Sequence, residues 1–171
     1  MTQFCARLGL TAARFCLSAW IGAAVLFVVN GVRQVRHPAF DSTVKDHLAL
    51  LRFPPYYLFG VTLLGMAACG LLAACLGQSR SRRTLLALGL VLFSGAVMAY
   101  DYQRVYSPIV EILQAEGASR PAEFVTLHNQ SKQINCVHVG AALLAAILVC
   151  WEPRTRMPED RELSSTPDVG R

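Results

Sequence analysis

Charge is scarce in this chain: Asp, Glu, Lys and Arg make up 16% of its 171 residues, against about a quarter in soluble domains. That shortage argues against a water-soluble globule, whose surface needs ions to cover it. Metal and enzyme signatures are missing as well. The six cysteines form no CxxC pair, and no HxxxH, HExxH, G-x-S-x-G elbow or Gly-rich phosphate loop occurs. Those absences remove the usual marks of a zinc finger, a metalloprotease, a serine hydrolase and a nucleotide-binding enzyme. Cys16, Cys69, Cys75, Cys136 and Cys150 fall in or beside apolar runs and read as small polarizable packing residues. A net charge of +5 does not point to nucleic acid, because the basic residues are scattered between apolar runs and no basic stripe interleaves with aromatics.

What the chain has in quantity is apolar length: 54% of it is hydrophobic. Four runs stand out, at residues 15–32, 56–76, 84–102 and 134–151. Each approaches the roughly 20 residues that carry a helix across a 30 Å hydrocarbon layer. Arg7 and Arg14 before the first run resemble the start of a signal peptide, but the run is too long for one and no small-x-small site closes it. We read it as an uncleaved first span. The expected fold is all-α: an integral membrane bundle of four transmembrane helices within residues 1–152, followed by a disordered polar tail at 153–171.

The connections add detail. Val44, Leu48 and Leu51 recur at helical spacing with charges between them, which predicts a short amphipathic helix between the first and second spans, ended by Pro54-Pro55. Ser107-Pro108 predicts a kink or restart after the third span, with a helical extension through Ile109 to Glu116 closed by Gly117. The fourth helix is expected to begin near Pro121, with Ser119 or Arg120 ahead of it. Small residues four apart (Ser18 and Gly22, Gly70 and Ala74, Gly95 and Ala99, Ala141 and Ala145) predict close helix packing. Arg80, Arg82 and Arg83 in the shortest loop favour both termini in the cytoplasm.

Into the fourth span runs a polar stripe. On a helix, Phe124, His128, Ser131, Asn135 and His138 share about a quarter of the circumference. Lipid cannot satisfy an imidazole, a hydroxyl and a carboxamide, so such a row turns toward neighbouring helices or a wet cavity. Consecutive spans alternate direction, which brings residues 30–36, 52–57, 100–108 and 124–135 to one membrane border. The candidate binding site is therefore His128, Ser131 and Asn135 with Asn30, Tyr57 and Arg104, and Trp20 and Tyr56 within reach. Asp101, beside Tyr100 and Tyr102, reads as an interfacial carboxylate with Arg104 in pairing range three residues on.

The order Trp20, then Arg52-Phe-Pro-Pro-Tyr-Tyr57, then Arg104 with Pro108, then Phe124-x-x-x-His-x-x-Ser-x-x-x-Asn135 resembles a family of four-span membrane proteins. It is the domain-of-unknown-function family that includes transmembrane protein 205. The resemblance covers about residues 18–150 and implies a multi-pass bundle; the family has no established biochemical activity to carry over. Its members often place an acidic residue before the proline and a basic one after it, where this chain has Ser107 and Ile109.

Three functional classes compete with plain structural pinning of helices by the stripe. The first is a binding site inside the bundle for an unidentified small molecule, with a homo-oligomer or membrane partner left open. The second is a haem, copper or zinc protein using His128 or His138, which lie about 15 Å apart along one helix and so cannot share one small ion. The third is catalysis by Ser131 and His128, whose i, i+3 spacing is equally that of ordinary neighbours. The expectation is a multi-pass membrane protein of unknown biochemical activity, without enzymatic activity or bound cofactor, whose polar stripe is a candidate ligand or partner site.

Overall fold

In the computed structural model the described residues are 2–77, 81–114 and 122–151. They form α1 (Thr2–Arg36), α2 (Ser42–Leu76), α3 (Arg82–Asp101), a π-helical turn (Tyr102–Tyr106), α4 (Ser107–Gln114) and α5 (Ala122–Cys150). No strand occurs among the described residues. The expected all-α four-helix bundle is what the chain adopts, and four helical stretches are long and apolar enough to cross a membrane. Their outer faces carry large apolar side chains such as Phe15, Leu58, Leu72 and Leu144, which are exposed as a lipid-facing surface requires.

The helices outrun the apolar runs that predict them. α1 and α2 have 35 residues each, about 52 Å at 1.5 Å per residue, well beyond a 30 Å hydrocarbon layer. A helix has no reason to stop where the lipid does. The segment expected as a separate amphipathic helix is the first part of α2, which runs on through Pro54 and Pro55 without a break. Those prolines withhold the N–H groups that would reach back to the carbonyls of Leu50 and Leu51. Asp41 starts this helix by accepting from the backbone N–H of Val44 at 2.8 Å, and Ser81 starts α3 by accepting from that of Thr84 at 3.2 Å. The restart at Ser107-Pro108 takes the form of the π-helical turn, where Ser107 Oγ donates to the Tyr102 carbonyl at 2.9 Å. Proline clashes with the carbonyl four residues back, and a wider turn before it relieves that clash. The expected stop at Gly117, the start of the fourth helix at Pro121 and the polar tail lie outside the described residues.

α1 packs chiefly on α2 and α3 chiefly on α5, with α2–α3 and α1–α5 contacts closing the ring. Two of the four small-residue pairs lie at contacts. At Gly70 a Cβ would stand 2.5 Å from the carbonyl oxygen of Gly9, so the backbones of α1 and α2 touch there. Ala74, Ala141 and Ala145 are buried beside that contact or between α5 and its neighbours. The other two pairs face outward: Gly22 and Gly95 have nothing within 4 Å of a built Cβ, and Ser18 and Ala99 are exposed. Spacing alone does not tell an inner pair from an outer one. The centre is filled by Leu17, Trp20, Leu71, Val91, Met98 and Ala142, with Gly60 leaving room for the Trp20 indole.

Candidate functional site

Toward the border where α1 ends and α2 begins, polar side chains replace alanines and glycines. Tyr57 from α2 donates its hydroxyl to Asp101 Oδ2 at 2.6 Å. Ser131 from α5 donates to the same oxygen at 3.1 Å. One turn deeper along α5, Asn135 Oδ1 accepts the Tyr56 hydroxyl at 2.6 Å. Three helices are thus tied through one carboxylate, and a third bond spans α2 and α5. Asp101 is 2% exposed, and its Oδ1 has no hydrogen-bond partner among the described residues. A carboxylate in so secluded a place is costly unless it is hydrogen-bonded. The two hydroxyl donors supply that, and a charge-assisted bond is about twice as strong as a neutral one.

Beside this cluster lies a cavity of about 340 Å³, lined by Phe27, Val28, Gly31, Val32, Val35 and Arg36 of α1, by Arg52, Phe53, Tyr56 and Tyr57 of α2, by Asp101, and by His128, Ser131, Lys132 and Asn135 of α5. A second cavity of about 590 Å³ opens between α1 and α2 past Trp20, Asn30 and Pro55. A third, of about 220 Å³, lies between α2, α4 and α5, with Phe124, His128 and Ser131 on its wall. Of the four stretches expected at one border, residues 31–36, 52–57 and 128–135 meet at the first cavity, whereas of 100–108 only Asp101 reaches it.

The sequence-derived site residues divide accordingly. His128, Ser131, Asn135 and Tyr57 meet on one cavity wall. Asn30 is exposed and lines the second cavity instead. Arg104 is exposed and lines none of the three. The π-helical turn begins right after Asp101, so Arg104 does not return to the face of Asp101 as it would on an α-helix. Asp101 is accordingly a buried member of the cluster, and its reading as a solvated interfacial residue is corrected. His138 is also placed differently from the rest of its stripe. It is fully buried, stacked 6.1 Å from Trp20, and its backbone carbonyl accepts from Ser94 Oγ at 2.8 Å. Among the described residues neither ring nitrogen of His138 has a hydrogen-bond partner, nor does Trp20 Nε1.

The metal and haem alternatives can be tried on these residues. His138 is fully buried against Trp20 and lines none of the three cavities. Among the described residues no group of three His, Cys, Asp or Glu side chains comes together as a ligand set. Sequence reasoning under-weighted two residues. Asp101 was legible as an acid in the last turn of an apolar run, and Arg52 as the cation of the Arg-Phe-Pro-Pro-Tyr-Tyr element, but neither pattern says which way its side chain turns.

Fold and site together define a class: an all-α bundle of four membrane-length helices with a hydrogen-bonded polar cluster and cavities at one border. No family model, curated protein or solved structure matches the chain.

Proposed function

We propose that this chain is a multi-pass integral membrane protein, of the kind represented by the transmembrane protein 205-like family, that binds a small ligand in the cavity beside Asp101. Its role is binding and not catalysis. The observation that supports this reading is the Asp101 carboxylate, buried and bonded by hydroxyls from two other helices on the wall of a 340 Å³ cavity. Pinning helices would not need a cavity, and a ligand site does. Ionisable groups at membrane depth that line a cavity are functional by default.

Native mass spectrometry of the full chain, extracted in mild detergent from its own membrane, tests the proposal. A bound small molecule should accompany the wild type and be lost from Tyr57→Phe and from Ser131→Trp, whose ring would fill the cavity. It should persist in Leu72→Ala, whose side chain is exposed and lines none of the three cavities. Loss from all variants equally, or no bound species in any, would count against the site. Resistance of the wild type to alkaline carbonate extraction checks that the helices cross the bilayer.

A further inference from the structure

Arg52 is the one side chain that lines all three cavities, and its setting is unusual for a cation. The guanidinium lies on α1. Its Nη1 donates to Gln34 Oε1 at 2.7 Å, and its Cζ stands 4.6 Å from the centre of the Phe27 ring and 5.6 Å from that of Phe53. Phe27, Gly31 and Gln34 follow one another at i, i+4 and i+7, so a single face of α1 forms the cradle. Gly31 is the residue that permits it: a Cβ there would come within 2.9 Å of Nη1 and 3.1 Å of Nη2. No carboxylate pairs with Arg52 among the described residues, and its Nε is buried without a partner. Cations removed from water normally face an anion, because aromatic faces and a neutral amide return only part of the hydration lost.

We propose that Arg52 is the anion-binding centre of the 340 Å³ cavity beside Asp101, and that the ligand is an amphiphile with an oxyanion head and a hydrocarbon tail. The proposal rests on the reading of this cavity as a ligand site. Arg36 and Lys132 share its lining with Arg52, against the single carboxylate of Asp101, whose Oδ2 is already taken by Tyr57 and Ser131. A cationic ligand would meet three positive side chains. The planar, pre-held guanidinium instead suits the paired oxygens of a phosphate or carboxylate. Val28, Val32 and Val35 run along the same wall at i, i+4 and i+7 and are exposed, which gives a tail an apolar track outward to lipid. An anionic phospholipid and a free fatty acid share this chemistry.

The test uses the full chain in nanodiscs of phosphatidylcholine, with binding followed by tryptophan fluorescence during titration. Four probes are added separately: an anionic phospholipid, a long-chain fatty acid, an alkylammonium of the same chain length and inorganic phosphate. Saturable binding of the phospholipid marks a membrane lipid as the source, and saturable binding of the fatty acid alone marks a free acid. In either case Arg52→Gln should weaken binding by about tenfold to a hundredfold, the range expected for a lost charge-assisted hydrogen bond. Gly31→Val, which keeps Arg52 but pushes it off its cradle, should weaken binding in the same direction. If Arg52→Gln fails to fold, Arg36→Gln and Lys132→Gln, at exposed positions, carry the test, each with a loss of a few fold.

Unchanged affinity in Arg52→Gln and Gly31→Val would overturn the assignment, as would binding of inorganic phosphate as tight as that of the amphiphiles. Tight alkylammonium binding that Tyr57→Phe abolishes would leave the cavity a ligand site and sink only its anion preference. No binding of any amphiphile would remove both.

Discussion

At one border of the bundle the helices touch backbone to backbone; at the other they are held apart by rings and hydrogen-bonded side chains. The first region has Gly9 against Gly70, with Ala13, Ala74, Ala142 and Ala145 fully buried nearby, and the Arg14 guanidinium donating to the carbonyl of Val149 at 2.9 Å near the end of α5. The second has Phe27 stacked 4.1 Å from Tyr56, Tyr57 and Ser131 bonded to Asp101, and the three cavities. Lipid tails are as apolar as leucine, so helices in a membrane gain by close contact where small residues allow it. Where side chains are large and polar, the same helices must part, and the space between them is where a ligand can lodge. One end is built to hold and the other to receive.

The comparison can be broken first at the close end. Gly70→Leu sets a side chain against the Gly9 carbonyl, a backbone atom that cannot swing aside. It should cost about 3 kcal/mol or more, the upper part of the range for overpacking. Thermal unfolding in detergent, followed by circular dichroism, reads this as the largest drop among these variants; an unchanged melting point would show that the backbone contact does not hold α1 to α2.

A smaller effect is expected at the open end. Asp101→Ala leaves the hydroxyls of Tyr57 and Ser131 without their acceptor, which should cost about 1–3 kcal/mol. Double-mutant cycles with Ser131→Ala should then show coupling, because both residues act through one oxygen. Strict additivity would mean that the two do not share a bond.

The smallest change sharpens the contrast from outside. Gly95 sits within α3 with nothing within 4 Å of a built Cβ. Gly95→Ala should therefore raise stability by about 0.5–1 kcal/mol through helix propensity alone. A loss would show that this face of α3 packs against something, a second copy of the chain included.

Much of this molecule can be read without coordinates. The helices are legible because crossing a bilayer imposes a length and a composition, both local to each segment. The stripe was legible for the same reason, and Ser131, Asn135 and Tyr57 do meet across helices. Less legible were features that depend on how one helix is turned against another. His138 shares the stripe's angle on α5 but sits deeper, against Trp20 in the core and out of the cavity. Arg104 is carried off its expected face by the π-helical turn. Nothing in the spacing of Ser18 and Gly22 distinguishes them from Gly70 and Ala74, yet one pair is outside the bundle and the other within.

The sequence by itself determined the all-α class, the four apolar helices and the border where polar groups gather, because hydrocarbon sets those terms residue by residue. Only the tertiary structure decided that Asp101 turns inward to Tyr57 and Ser131, and that Arg52 lies on Phe27, Gly31 and Gln34. The physical reason is that lipid tells a polar side chain to leave its own surface without naming the neighbour it must find. That neighbour is chosen by the rotation and spacing of helices, which contacts between distant parts of the chain establish.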